Sequence, residues 1–161
     1  MTSNKNQANY AALPIDKFKD VVENTPLISI DFIIKDNTDN YLLGKRVNKP
    51  AVGYWFTLGG RVLKNETINH AIKRLSKKEF NQEITIDSLK FHGVYEHFYS
   101  DSFVDENIST HYIILAYELE RQQKLDLPKN EHSEYKYFSY EEIMQDSTVH
   151  KYVKDYLKKE Q

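Results

Sequence analysis

The segment Leu27–Lys35, with the sequence LISIDFIIK, limits the possible folds of this chain more than any other feature. It is rich in β-branched residues and almost wholly apolar, a pattern typical of a central strand that is buried on both faces. Asp31 lies in the middle of this segment, where a charged side chain is costly unless it has a partner. The sequence therefore predicts a sheet whose central strand carries a buried carboxylate.

The rest of the chain divides into further predicted strands and helices. Apolar residues at helical spacing predict helices at 14–25, 66–79, 139–145 and 149–159, the last two with Ser or Thr caps. Alternating or apolar runs between turn residues predict strands at 41–46, 53–61, 89–99, 110–120 and 135–138. Residues 36–40 are expected to close a hairpin, and the aromatic strand at 53–61 is expected to stop at Gly59-Gly60. The result is a mixed sheet with helices packed on it.

The composition excludes several classes of protein. The 161 residues have the size of one domain, and a net charge of −2 gives no electrostatic reason to expect nucleic-acid binding. The absence of cysteine excludes a disulfide scaffold, a thiolate nucleophile and a cysteine zinc site. No apolar run approaches the ~18 residues of a membrane span, and the polar start lacks the apolar h-region of a signal peptide. We expect a cytoplasmic protein without a membrane or nucleic-acid partner, with a flexible arm at 1–13 and one domain at 14–161.

The segment that follows Gly59 carries the strongest functional signal. A strand that ends in Gly59-Gly60 is followed by Glu66 and then by a predicted helix that contains Arg74 and Glu79. Two glycines allow close backbone approach and let a carbonyl point outward, where it can bind a hard cation. A helix of this length can bring Glu79 back to the same turn. The alternative is a tight turn followed by an amphipathic helix with surface charges.

This segment resembles the Nudix hydrolase box, G-x5-E-x7-R-E-U-x-E-E-x-G-U, in which U is a bulky aliphatic residue. Gly60, Glu66, Arg74 and Glu79 fall on its positions. The departures are Leu75 and Lys78 in place of box glutamates and Asn81 in place of the box glycine. Positions 75, 78 and 79 share one face of the helix. That face therefore carries a single carboxylate beside a lysine and cannot hold a cluster of Mg²⁺ ions.

The altered box is similar to that of the GDP-mannose mannosyl hydrolase branch of the Nudix family. The resemblance extends over residues 14–150 and includes the segments 25–33, 42–56, 93–103, 109–117 and 127–135. It implies a Nudix α/β/α sandwich with a mixed curved sheet, and a homodimer in which the N-terminal segment with Phe18 helps to form the base site. It also implies that water attacks the anomeric carbon of a nucleotide sugar with inversion, releasing the intact nucleoside diphosphate. One Mg²⁺ per site, with Mn²⁺ as a substitute, is the implied cofactor.

The resemblance also implies the metal ligands and the catalytic histidines. The Gly59 carbonyl, Glu79 and Glu131 are the implied ligands, although the family has Gln at the position of Glu131 and a solvated loop glutamate is the alternative. A carboxylate is a better Mg²⁺ ligand than an amide, so ligation should survive. His132 matches the general base. His97 matches a donor near the leaving diphosphate, and a structural strand histidine is the alternative.

Further residues match family positions that bind the substrate. Arg46 and Arg61 match arginines that face the nucleotide sugar and its diphosphate, with surface salt bridges as the alternative. Tyr112 matches another position near the diphosphate or has a packing role. Asp31 matches a carboxylate near the sugar, and its alternative is a buried partner for Arg46.

Arg74 and Glu66 are expected to support the site rather than to contact substrate. Arg74 pairs with Glu66 or orients the region of Glu79 under this interpretation. Two other functions remain open at this point. One is an ordinary Nudix pyrophosphohydrolase that cleaves P–O bonds, which Leu75 and Lys78 disfavour because they remove the multi-metal face. The other is a non-catalytic nucleotide-binding Nudix domain.

Overall fold

The computed structural model describes residues 13–120, 125–129 and 131–158, and the predicted arm lies outside them except for Leu13. The described part contains a seven-stranded mixed sheet and four α-helices. The strands are β1 (Leu27–Lys35), β2 (Tyr41–Arg46), β3 (Trp55–Phe56), β4 (Leu58–Arg61), β5 (Lys90–Tyr99), β6 (Thr110–Glu120) and β7 (His132–Phe138). The helices are α1 (Ile15–Asn24), α2 (Ile68–Phe80), α3 (Tyr140–Gln145) and α4 (Lys151–Leu157).

Strand β1 is central, as the sequence predicts. It pairs in parallel with β6 along its whole length and antiparallel with β4 from Ser29 to Phe32. The predicted hairpin with β2 closes through a single residue pair, Lys35 with Tyr41, before the two strands diverge. The diverging β2 pairs instead with β3 and β7, because β4 occupies the edge of β1 that a longer hairpin would need.

Helices cover both faces of the sheet. Alternate residues of β1 point to opposite faces, so the strand contributes to two separate cores. The core on one face packs the sheet against α2 and includes Ile30, Phe32, Ile72, Leu75 and Phe80. The cores on the other face pack it against α3 and α4 and include Ile33, Leu43, Ile143, Val153 and Tyr156. This arrangement confirms the predicted α/β/α sandwich.

The structure corrects the predicted boundaries of two strands. The aromatic segment folds as the two short strands β3 and β4, and it continues through Gly59 and Gly60 to Arg61 because all three residues pair with β1. Strand β7 begins at His132 rather than at Tyr135, because His132 pairs with Arg46 across a bulge in β2. His132 therefore belongs to the sheet and not to a loop.

Two helix starts also differ from the prediction. Helix α2 begins at Ile68, because the Thr67 hydroxyl accepts a hydrogen bond from the His70 amide and caps the first turn. Glu66 therefore precedes the helix. Helix α4 is capped by His150, whose Nδ1 accepts from the Tyr152 amide at 3.2 Å, and not by Ser or Thr. Within the described ranges, none of the helices is both long and apolar enough to cross a bilayer.

Candidate active site

A cavity of about 330 Å³ is lined by residues from α1, α2 and every strand of the sheet. Its size and its mixture of apolar walls with a few charged groups are typical of a ligand site. The predicted site residues that line it are Phe18, Asp31, Arg46, Gly59, Arg61, Arg74, His97, Tyr112, Glu131 and His132. Glu66 and Glu79 do not line the cavity, but each interacts with a residue that does.

The two glycines at the cavity wall have no room for side chains. A Cβ at Gly59 would lie 2.1 Å from the Ile30 carbonyl oxygen, because β4 and β1 lie closely side by side there. A Cβ at Gly60 would lie 2.5 Å from Leu75 Cδ2. Leu75 is 1% exposed and packs in the core, so the residue that replaces the first helical glutamate of the box has a structural role.

Glu79 and Glu131 form a carboxylate pair at one side of the cavity. Glu79 is only 3% exposed, and its burial together with the charge of Glu131 raises its pKa to about 8. Burial opposes ionisation of Glu131 as well, but a hydrogen bond from Lys78 and the lysine charge outweigh it and lower the pKa of Glu131. Lys78 Nζ lies 2.5 Å from Glu131 Oε1.

The donor set at this pair fits one hard divalent cation. Two adjacent carboxylates, one of them buried and costly to ionise beside the other, favour the binding of a cation between them. The backbone carbonyl of Gly59, also at the cavity wall, is a suitable third oxygen ligand. Among the described residues, no group of three or more His, Asp or Glu side chains is arranged to hold a metal. Within the described residues, a cation at this pair would be held by two carboxylates and a backbone oxygen.

Arg74 holds the loop between β4 and α2. Its Nε and one terminal nitrogen donate to the two carboxylate oxygens of Glu66 at 2.7 and 2.9 Å, and the same terminal nitrogen donates to the Arg61 carbonyl at 2.8 Å. Glu66 also accepts from the Leu63 amide. A bidentate pair of this kind fixes geometry as well as charge. Of the two predicted roles for Arg74, the structure shows the pairing with Glu66.

His132 is a buried imidazole in strand β7. Neither Nδ1 nor Nε2 has a partner within the described residues, and the side chain is 3% exposed. Burial and the nearby charge of Arg46 lower its pKa to about 4, so the ring is neutral at pH 7. The ring lies against Gly44, where an added Cβ would be 2.5 Å from His132 Cδ2. A neutral ring with a free nitrogen can accept a proton.

Asp31 lies at the floor of the cavity in a network of tyrosine and histidine side chains. Its Oδ2 accepts from Tyr156 at 2.5 Å and from Thr57 at 2.9 Å. Burial raises its pKa to about 6, while these hydrogen bonds and the charge of Arg46 oppose that shift. Arg46 itself donates its Nε to the Pro50 carbonyl. Of the two alternatives predicted for Asp31, direct pairing with Arg46 is not observed, because neutral hydroxyl groups donate to the carboxylate instead.

His97 is part of the same network, and its surroundings differ from those of a phosphate donor. Its Nε2 lies 3.2 Å from the Tyr156 hydroxyl and its Nδ1 lies 3.4 Å from the Tyr99 hydroxyl. The ring stacks on Tyr152 at 4.1 Å and is 2% exposed. Burial lowers its pKa to about 3, so it is neutral at pH 7. Since both nitrogens have protein partners, the geometry favours the structural alternative predicted for His97.

Three further cavity residues provide positive charge and an aromatic wall. The Arg61 guanidinium lies 3.9 Å from the centre of the Phe18 ring, a cation–π contact between β4 and α1. Burial lowers the pKa of Arg61, although the group remains charged at neutral pH. Tyr112 is half-buried, and burial raises the pKa of its hydroxyl. Each of these side chains lines the cavity.

The sequence did not identify three residues of the buried network. Thr57, Tyr99 and Tyr156 all contact predicted site residues. Tyr156 lies on α4, 125 residues from Asp31, and nothing in its local sequence distinguishes it from the other tyrosines of this chain. Thr57 and Tyr99 follow short aromatic runs, which predict packing in a core. Nothing in the sequence therefore indicated that their hydroxyl groups form hydrogen bonds with site residues.

Comparison with known proteins identifies the class of this fold and site. The model of the NUDIX domain matches residues 25–158. A MutT NUDIX hydrolase from Burkholderia pseudomallei is 18% identical with a TM-score of 0.67, covering 83% of this chain and 97% of that one. The NUDIX domain of Shewanella oneidensis NrtR, solved with ADP ribose, is 16% identical with a TM-score of 0.63, covering 98% and 96%. The chain belongs to the Nudix hydrolase family.

One curated relative is similar to this chain over nearly its full length. The chain is 37% identical over 161 residues to the low-salt glycan biosynthesis protein Agl8 of Haloferax volcanii, covering 98% of this chain and 97% of the relative. Nudix hydrolases generally use divalent metal ions, in agreement with the carboxylate pair described above.

Proposed function

We propose that this Nudix hydrolase cleaves a nucleoside-diphosphate sugar of the GDP-mannose or GDP-glucose type into the nucleoside diphosphate and the free sugar. The observation that supports this most directly is the set of residues on the α2 face at the carboxylate pair. Leu75 is buried in the core, Lys78 is paired with Glu131, and Glu79 is the remaining carboxylate. A face with one carboxylate suits a reaction in which the diphosphate leaves intact, because fewer metal ions are needed around the attacked atom. The glycan-biosynthesis relative supports a sugar-linked substrate.

The metal requirement of this reaction is met by the carboxylate pair. The Gly59 carbonyl, Glu79 and Glu131 would hold one Mg²⁺, which supplies positive charge against the diphosphate when bound. Arg46 and Arg61 bind the phosphate oxygens, since a guanidinium can donate two parallel hydrogen bonds to them. Tyr112 adds a hydroxyl donor at the same wall of the cavity.

His132 takes the role of general base in this proposal. Water attacks the anomeric carbon, its proton passes to the neutral imidazole, and the bond from that carbon to the diphosphate oxygen breaks with inversion. The lack of a partner for either ring nitrogen among the described residues supports this role, because the one lone pair of the neutral ring is then not used by another protein group. Asp31 accepts hydrogen bonds from sugar hydroxyls with the oxygen that Tyr156 and Thr57 do not occupy.

Product analysis tests the reaction. A panel of nucleotide sugars is incubated with Mg²⁺ or Mn²⁺ in ¹⁸O-water, and the products are identified by mass spectrometry. We expect label on the sugar hydroxyl and an unlabelled nucleoside diphosphate. A nucleoside monophosphate with a sugar phosphate, or label in phosphate, would instead indicate an ordinary pyrophosphohydrolase. Binding without turnover on the whole panel would indicate a nucleotide-binding domain.

We also propose a homodimer in which α1 and Phe18 contribute to the base site. Phe18 supports this because it lies on α1 at the cavity wall, where Arg61 packs on its ring. Sedimentation velocity at micromolar concentration should give about twice the 19.1 kDa chain mass. A single species of monomer mass would refute the dimer without affecting the proposed reaction.

A further inference from the structure

A lysine and a glutamate contact each other directly beside the buried carboxylate of the proposed metal site. Lys78 lies in the last turn of α2 and Glu131 immediately precedes β7, 53 residues later in the chain. The two side chains meet at 2.5 Å between Nζ and Oε1. A positive and a negative charge therefore meet at one contact beside Glu79, which is 3% exposed.

We propose that Lys78 and Glu131 act as one charge-compensated unit: the lysine offsets the glutamate charge beside the metal site, which sets how tightly a divalent ion binds there and keeps a second ion out. The inference rests on the proposed function only in requiring that a divalent ion bind at Glu79. It concerns how many ions the site holds and how tightly, and not which bond is cleaved.

The electrostatics at Glu79 support this compensation. Lys78 is the residue before Glu79 in α2 and contacts Glu131 directly, so the two members of the unit place opposite charges beside the same buried carboxylate. A bound cation lies close to that carboxylate and therefore experiences both charges. Removal of Lys78 leaves an additional negative charge, and removal of the Glu131 charge leaves an unmatched positive one.

The solvent exposure of the pair indicates that it affects the binding of charged ligands more than the stability of the fold. The Lys78 and Glu131 side chains are 51% and 41% exposed, and ion pairs that are this exposed stabilise a fold little. Both side chains also line the cavity, so their charges face whatever binds there. Substitutions at the two positions are therefore expected to leave the fold intact.

Titration with Mn²⁺ alone tests the proposal without any substrate. Binding is followed by the electron paramagnetic resonance signal of free Mn²⁺ for the wild type, Lys78→Gln, Glu131→Gln, the double variant and Lys78→Glu. We expect one Mn²⁺ per wild-type chain, on the order of tenfold tighter binding in Lys78→Gln, and on the order of tenfold weaker binding in Glu131→Gln. The double variant should return to within about threefold of wild type, and Lys78→Glu should bind a second ion.

Lys77 provides a matched control one residue away in the same turn of α2, where it is solvent-exposed. Lys77→Gln removes the same charge and should leave Mn²⁺ affinity within about twofold of wild type. Equal tightening in Lys77→Gln and Lys78→Gln, unchanged affinity in Lys78→Gln, or one ion in Lys78→Glu would each overturn the proposal. If the wild type binds one Mn²⁺ and the variants bind it with the same affinity, only the charge-compensated unit is rejected. A wild type that binds no Mn²⁺ also rejects the proposed function.

Discussion

Replacement of Tyr156 by phenylalanine would remove one hydroxyl from the buried network and leave the ring in place. That hydroxyl donates to Asp31 Oδ2 at 2.5 Å and accepts from His97 Nε2 at 3.2 Å, and Tyr156 is 2% exposed. A hydrogen bond to an ionised group contributes about 1.5–3 kcal/mol, and one between neutral groups about 0.5–1.5 kcal/mol. We expect Tyr156→Phe to lower the free energy of unfolding by about 2–4 kcal/mol at pH 8, where Asp31 is ionised.

The cost of this substitution should depend on pH because Asp31 titrates. Its folded-state pKa of about 6 lies above the ordinary value of 3.8, so the folded protein binds more protons between these values. The Asp31 contribution therefore lowers stability as the pH rises through this window. The hydrogen bond from Tyr156 lowers the folded-state pKa, and its removal raises that pKa further. The variant consequently loses additional stability above pH 6, about 1–1.5 kcal/mol more at pH 8 than at pH 5.

Urea denaturation at pH 5 and pH 8 measures this difference. Tyr117→Phe is the matched control, because Tyr117 is also buried but its ring packs on Phe91 on the outer part of the sheet. Its cost should be the same at both pH values. An equal loss of stability for Tyr156→Phe at pH 5 and pH 8 would refute the reasoning. So would a loss below about 1 kcal/mol at pH 8.

Four further substitutions test the proposed chemistry by steady-state kinetics on the nucleotide sugar. His132→Gln should lower kcat by roughly 10²–10⁴-fold with little change in KM, because it removes a base, and unchanged turnover would exclude that role. Glu79→Gln should abolish most Mg²⁺-dependent activity, and a near-normal rate at low Mg²⁺ would place the site elsewhere. Glu131→Gln should remain active but require more Mg²⁺; complete inactivity would mean that the site depends on a true carboxylate. Gly44→Ala should lower kcat on the order of 10–100-fold, because the added Cβ would lie 2.5 Å from His132 Cδ2, and wild-type kcat would show that the ring position is unimportant.

Features that depend on a continuous stretch of chain could be predicted from the sequence. Strands β1 and β6 have the predicted bounds, β5 begins one residue later than predicted, and α1 is one residue shorter at each end. The spacing from Gly60 through Glu66 and Arg74 to Glu79 spans one turn and one helix. Its geometry therefore depends little on the rest of the fold. Apolar periodicity and glycine positions are local properties, which is why they suffice here.

Partners that lie far apart in the chain were decided by the tertiary structure. The hairpin signal at 36–40 predicted β2 beside β1, but β4 takes that place from Ser29 to Phe32. Asp31 was given Arg46 as a candidate partner, whereas Tyr156 from the last helix and Thr57 supply its hydrogen bonds. Such choices depend on which elements dock on each sheet face, and no single segment carries that information.

The charge states of the site were also decided only by the folded chain. The sequence places Glu79, Glu131, His97 and His132 as candidates, but each has a shifted pKa that local sequence does not indicate. Burial removes these groups from water by amounts that depend on every neighbouring element. The lysine that offsets Glu131 comes from a helix 53 residues earlier. The residue types at the site are thus a property of the sequence, whereas their ionisation is a property of the packed structure, because the energy of a charge depends on all the groups that surround it.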